Sequence, residues 1–170
     1  MNGVWATDLL EISSNPDCLS DGGFWAVSTT FEGENTFAKF GTVIRDVAFP
    51  EVERWLGLKG VWESSMSQPE FESYVSEIRN QIELGNVYQV NACRILGTDI
   101  EKERSLAPLF AKILAKNPAP SACFLKLPDI EIASASPELF LARAGSRVKT
   151  SPIKGTRKLS EPGSKLSDKD

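Results

Sequence analysis

Histidine is absent from this 170-residue chain. That absence removes Ser-His and Cys-His nucleophilic pairs, imidazole metal ligation and a histidine pH switch together. Any chemistry therefore falls to carboxylates, lysine, tyrosine or a bound hard cation. Cysteine is scarce: Cys18, Cys93 and Cys123 are odd in number, widely spaced and outside any C-x-x-C pattern. Such spacing argues against a disulfide framework or a zinc site and for reduced thiols that mostly fill space. A large excess of charge is missing as well. With 19 basic and 23 acidic residues and a net charge of −4, the sequence has no global footprint for phosphate, and nucleic acid is not expected as a partner. No apolar run approaches the roughly 18 residues of a membrane span, and Met1–Leu10 carries Asp8 but no basic region ahead of an apolar stretch. A soluble, cytoplasmic protein with no membrane partner is the expectation.

What is present suits one ordinary domain. The apolar share of 41% and charged share of 25% fit a globular chain, and this length can bury about two thirds of its unfolded surface. Phe24 to Phe31 and Phe37 to Ile44 are rich in aromatic and β-branched residues around Glu32-Gly33-Glu34-Asn35, which predicts a β-hairpin. After a connector bearing Trp55 and Trp62, Ser67 stands three residues before Glu70, the spacing of a capping box, with Pro69 tolerated in the first turn. Phe71, Tyr74, Val75, Ile78 and Ile82 then recur at helical spacing until Gly85, which is suited to end the helix. A strand is predicted over Val87 to Leu96. A second helix is predicted over Leu106 to Lys116, with Leu109, Phe110, Ile113 and Leu114 inward and Asn117-Pro118-Ala119-Pro120 as its stop. Ala122 to Leu127 and Ile130 to Ala135 read as strands joined at Pro128-Asp129, and Leu139 to Ala142 and Arg147 to Thr150 as another pair around Gly145.

Three regions follow: a short β-rich region over 1–63, a main region over 64–156, and a polar tail over 157–170. The tail has only Leu159 and Leu166 as large apolar groups and is expected to be disordered. Glu101-Lys102-Glu103-Arg104 reads most simply as a solvated lead-in to the second helix. The four tryptophans are too irregularly spaced for a binding face and suit core and edge packing.

Three positions carry chemistry. Lys154 lies in a glycine-bearing loop, Ser151-Pro152-Ile153-Lys154-Gly155-Thr156. A lone loop lysine is ordinarily solvated and protonated, and neutralising it at pH 7 costs about 4 to 5 kcal/mol unless burial or a nearby cation lowers its pKa. Glu138 in Ser136-Pro137-Glu138-Leu139-Phe140 would by itself be a turn residue or helix start. Gln89 in Tyr88-Gln89-Val90-Asn91 would by itself be a strand residue bonding to backbone.

Taken together, these segments resemble the chorismate-utilising enzymes from about Ser64 to the end of the chain. The resemblance implies an α+β fold of large antiparallel sheets packed face to face with helices outside. It makes Pro152-Ile153-Lys154-Gly155-Thr156 part of the chorismate site, where Gly155 lets backbone approach a substrate carboxylate and Thr156 donates a hydrogen bond. Anthranilate synthases carry alanine at the position of Lys154, whereas aminodeoxychorismate synthases carry lysine, the proposed nucleophile at C2 of the ring. Glu138 corresponds to the general acid for the departing C4 hydroxyl, a role that requires surroundings favouring the protonated carboxyl. The water-adding branches carry a basic lysine where this chain has Gln89, so the amide fits the amine-adding branches. Asn86 replaces the usual aspartate after Gly85 and is read as a turn variation. Leu9-Leu10-Glu11 resembles a tryptophan-binding element of some relatives over too short a stretch to use.

The resemblance also implies magnesium held by glutamates, and a glutamine amidotransferase partner that delivers ammonia. The metal-binding and remaining substrate-binding segments of the family follow the stretch matched here, and Lys165 to Asp170 resembles the run just before them. The expectation is an N-terminal portion of the family's domain, inactive by itself. An anthranilate synthase portion is the rival enzyme reading, and a non-catalytic remnant that binds a partner subunit is the rival outside catalysis.

Overall fold

The computed structural model describes residues 2–100 and 104–153. The chain divides into two units, one made of the residues up to Arg54 together with those from Leu106 onward, the other of Trp55–Ser105. The sequence boundary at 63/64 falls inside the second of these. Lys154, Gly155, Thr156 and the tail over 157–170 lie outside the described residues.

In the first unit, β1 (Asn2–Ser13), β2 (Phe24–Thr29) and β3 (Asn35–Ala48) form an antiparallel sheet in the order β1-β3-β2. The predicted hairpin is β2–β3, closed over Thr30–Glu34 with Thr29 opposite Asn35. The Thr30 amide donates to the Glu34 carbonyl at 2.9 Å. Strand β1 is not among the strands the sequence predicts, because Val4-Trp5-Ala6-Thr7-Asp8-Leu9-Leu10 does not alternate cleanly. Its pairing with β3 shifts register between Gly3 and Val4 and again between Leu9 and Glu11. Asp8 (φ 63°) lies beside the second shift, a left-handed conformation that a short polar side chain tolerates better than a branched one. A 3-10 segment, Pro16–Asp21, begins where the Asn15 side chain accepts the Asp17 amide at 3.0 Å.

The rest of this unit follows the sequence reading. Helix α2 (Ala107–Lys116) has Pro108 in its first turn and ends before Pro118. It packs on the antiparallel pair β6 (Ser121–Lys126) and β7 (Glu131–Ser136). Phe110 is buried, with Leu109, Ile113 and Leu114 half-buried on the same side. The ring of Phe49, just past β3, stands edge-on to Trp5 (6.1 Å), Phe110 (5.0 Å) and Phe124 (5.8 Å), while Phe110 and Phe124 stack at 5.6 Å. This aromatic cluster ties α2 and β6 to the first sheet. A cleft of about 350 Å³ lies along it, lined in part by Trp5, Phe24, Phe49, Phe110 and Phe124.

In the second unit, β4 (Glu63–Ser64) pairs with β5 (Leu96–Gly97), and α1 spans Gln68–Glu83. The capping box is present: the Ser67 amide and hydroxyl both donate to Glu70 Oε2 at 2.7 Å, and the Glu70 amide donates to Ser67 Oγ at 3.5 Å. The backbone hydrogen bond, then the hydroxyl, hold the Glu70 carboxyl below its ordinary value of 4.5. Gly85, at φ 75°, closes the helix with its amide on the Ile82 carbonyl, and the Asn86 amide reaches the Gln81 carbonyl, both at 3.0 Å. The Asn86 side chain also donates to Gln81 Oε1 at 2.6 Å, so this residue serves the helix end.

The predicted strand over Val87 to Leu96 shrinks to its last residue. Only Leu96 and Gly97 join a ladder, and Tyr88 (87%) and Ile95 (73%) are exposed. Strand preference reflects fit to a pleated, half-buried surface, and over 87–95 no neighbouring strand supplies one. Arg104, expected to be solvated, places its guanidinium 4.6 Å from the centre of the Trp55 ring.

In place of large sheets, the described residues form one three-stranded and three two-stranded antiparallel sheets. The buried hydrophobic residues among them are Phe37, Ala38, Phe110, Ala119 and Leu127.

Candidate functional site

The turn that carries Glu138 joins β7 to β8 (Leu139–Ala144), which pairs with β9 (Arg147–Ser151). Proline at 137 cannot donate to a ladder, so pairing stops there. The Ser136 hydroxyl fixes the turn by donating to the Glu138 carbonyl at 3.1 Å and accepting the Glu138 amide at 3.3 Å. The β8–β9 ribbon reverses at Gly145-Ser146, where Gly145 adopts φ 60°, as a two-residue hairpin turn with glycine first requires.

The register gives the site its geometry. Leu139 lies opposite Ser151, and Thr150 Oγ1 donates to the Leu139 carbonyl at 3.2 Å, latching β9 to the start of β8. Glu138 and Pro152 are the next residues outward on the two strands. The chain therefore departs toward Ile153 from beside the Glu138 turn, so that Glu138 and Pro152 flank one end of one ribbon. Sequence reading had no means of placing Glu138 beside Pro152, because that placement depends on the ladder.

Among the described residues, nothing encloses the Glu138 carboxyl. Glu138 is exposed, Leu139 is half-buried and Phe140 is 88% exposed. Apolar neighbours in sequence enclose a carboxyl only if a further layer covers them, and none of the described elements covers β8. Gln89 belongs to the Trp55–Ser105 unit, where it is exposed in the segment after α1.

Of the three thiols, Cys18 is half-buried, whereas Cys93 and Cys123 are exposed, so packing explains only the first. Cys123 borders the aromatic cleft, and partial desolvation pushes its thiol upward from the usual value, which disfavours the reactive thiolate. Among the described residues no group of three Asp, Glu or Cys side chains is arranged to hold a metal ion. These residues do not fit a magnesium site by themselves, and no chemical step is derived through one. Among the same residues, no helix is long and apolar enough to cross a membrane.

Comparison with known proteins gives the family and the extent of the likeness. The chain is similar to anthranilate synthase component 1 1 of Haloarcula marismortui, with 33% identity over 99 residues, 58% of this chain and 20% of the relative. It is similar to aminodeoxychorismate synthase component 1 of Salmonella typhimurium, with 32% identity over 99 residues, 58% of this chain and 21% of the relative. The Bacillus subtilis protein of the latter name is 30% identical over 102 residues, 58% of this chain and 20% of the relative. The chain thus spans about a fifth of the length of the curated relatives it matches. No solved structure matches it at a significant level. The family described as chorismate binding enzyme matches residues 33–166, a stretch that holds Gln89, the Glu138 turn, the β8–β9 ribbon and the lysine loop, and the chain belongs to that family.

Proposed function

We propose that this chain supplies the Lys154 and Glu138 side of a site that aminates chorismate at C4, as in an aminodeoxychorismate synthase component I serving p-aminobenzoate and folate synthesis. One observation carries the reading: lysine stands at position 154 of the glycine loop, where resemblance gives alanine to anthranilate synthases. Overall identity does not choose, since relatives of both names match at similar levels. The register that brings the loop's start beside the Glu138 turn supports pairing a nucleophile with an acid.

In the proposed reaction, the neutral Lys154 amine forms a bond to C2 of the ring, both ring double bonds shift by one position, and the C4–O bond breaks. Glu138 protonates the departing hydroxyl, which leaves as water. Ammonia from a glutamine amidotransferase partner then bonds to C4, both double bonds shift back, and the C2–N bond breaks, the proton lost by the incoming nitrogen being balanced by the one the departing lysine amine takes up. Gly155 and Thr156 would receive a substrate carboxylate, and Gln89 would hold substrate by its amide without acting as a base. Magnesium would come with segments outside those described.

Exposure of Glu138 and Phe140 means that the acid lacks its covering, so the isolated chain is expected not to turn over chorismate. Joining the chain to the following part of the Bacillus subtilis relative and identifying the product tests the reading. The expected product is 4-amino-4-deoxychorismate, formation of which is lost in Lys154→Ala. Anthranilate as the product would replace the reading with its rival.

A further inference from the structure

The main chain that carries Glu138 is held by side chains at the place where strand pairing lapses. Ser136, the last residue of β7, is still in register opposite Ser121. Pro137 has no amide proton to give to a ladder, and past Leu139 the pairing of β8 with β9 is irregular until Ala142. Between Ser136 and Ala142, Leu139 is the one residue with a cross-strand partner, Ser151, among the described residues. Two hydroxyls take over there. Ser136 Oγ accepts the Glu138 amide at 3.3 Å and donates to the Glu138 carbonyl at 3.1 Å, while Thr150 Oγ1 donates to the Leu139 carbonyl at 3.2 Å. Both polar groups of the Glu138 main chain, and the carbonyl of the next residue, thus end on side-chain oxygens.

Stability does not account for this arrangement. Glu138 and Thr150 are exposed and Ser136 is half-buried, so water can replace either hydroxyl and the fold gains little from the bonds themselves. What water does not replace is a fixed position. A hydroxyl anchored in a strand restrains the Glu138 Cα to one place, whereas a water bridge moves with the turn. Displacing a reacting group by about 1 Å can cost about a hundredfold in rate.

We infer that Ser136 and Thr150 are positioning residues, which pin the main chain on both sides of the Glu138 side chain and so set the direction in which its carboxyl leaves the turn. Both act through the Glu138–Leu139 main chain rather than on substrate. The inference rests on the reading of Glu138 as the acid of the proposed reaction. Since that acid acts when the C4–O bond breaks, loss of either hydroxyl falls on the chemical step and leaves binding of chorismate nearly unchanged.

Two measurements test it. In the full chain by itself, Ser136→Ala is expected to speed amide exchange at Glu138 at least about threefold while exchange in β6–β7 stays as it was. In the chain joined to the following part of the Bacillus subtilis relative, Ser136→Ala and Thr150→Val are each expected to lower kcat about tenfold, with KM for chorismate changed less than about twofold. Ser136→Thr and Thr150→Ser keep the hydroxyls and are expected to restore most of the rate, which a role in packing alone would not produce. Undiminished kcat in both hydroxyl-free variants, while Glu138→Ala loses activity, overturns the inference and leaves the acid reading standing. A loss confined to KM, failure of the conservative variants to recover the rate, or unchanged Glu138 exchange in the full chain overturns it equally. Full activity of Glu138→Ala would instead overturn the acid reading, and the inference with it.

Discussion

Phe110 and Glu70 show how differently two single residues can matter. Phe110 is 4% exposed and touches both Phe49 and Phe124, so Phe110→Ala removes the centre of the cluster that links α2 to the first sheet. A loss of about 3–5 kcal/mol is expected for a buried Phe→Ala change, a large part of a small domain's stability. Denaturant titration followed by tryptophan fluorescence, with Trp5 as reporter, would measure it. Glu70 acts through charge. Its folded-state carboxyl lies below 4.5, so in acid the unfolded state binds more protons, and the contribution is full above that value. It is lost as pH falls through the lower, folded-state value. Amide exchange in the first turn of α1 should rise on acidification below about pH 4.5 relative to an unstructured reference peptide, and Glu70→Gln should flatten that dependence. Glu70 was legible in the sequence because its partner is three residues away. Phe49, the hub of the aromatic cluster, was not, since an aromatic residue in a connector has no periodicity to mark it.

At the scale of elements, the same division between local and distant causes holds. Helix α1 was readable from end to end, from Ser67 through the Phe71, Val75 and Ile78 face to Gly85. Gly85→Ala should weaken its close by about 1–2 kcal/mol, because φ 75° is costly once a Cβ is present; α1 amide exchange measures the change. The β2–β3, β6–β7 and β8–β9 hairpins were readable because turn residues stand between strand-like runs. Strand β1 was hidden by its irregular alternation and by two register shifts. Val87 to Leu96 misled in the other direction, since its composition favours a strand whereas the ladder depends on a neighbour. The candidate site divides likewise. The Glu138 turn and Pro152 could be named from sequence, but their place together at one end of a ribbon required the Leu139–Ser151 register.

For the whole molecule, apolar residues left open on the ribbon and after α1 imply incomplete burial. Tyr88, Ile95 and Phe140 are each more than 70% exposed, and such surfaces favour association or partial structure. The isolated chain is therefore expected to unfold over a broad temperature range and to release no aminodeoxychorismate from chorismate, ammonia and magnesium. A sharp, reversible calorimetric transition of a monomer would contradict the first expectation. Product lost on Glu138→Ala would contradict the second. The most direct measurement of the proposed chemistry is peptide mass analysis of the chain completed by the following part of a relative, incubated with chorismate and magnesium but no ammonia. A ring-derived adduct on the peptide containing Lys154 is expected, absent from Lys154→Ala and discharged when ammonia is added. Full turnover with no adduct at any time, together with undiminished activity of Lys154→Ala, would contradict a nucleophilic lysine and leave Lys154 as a positioning charge.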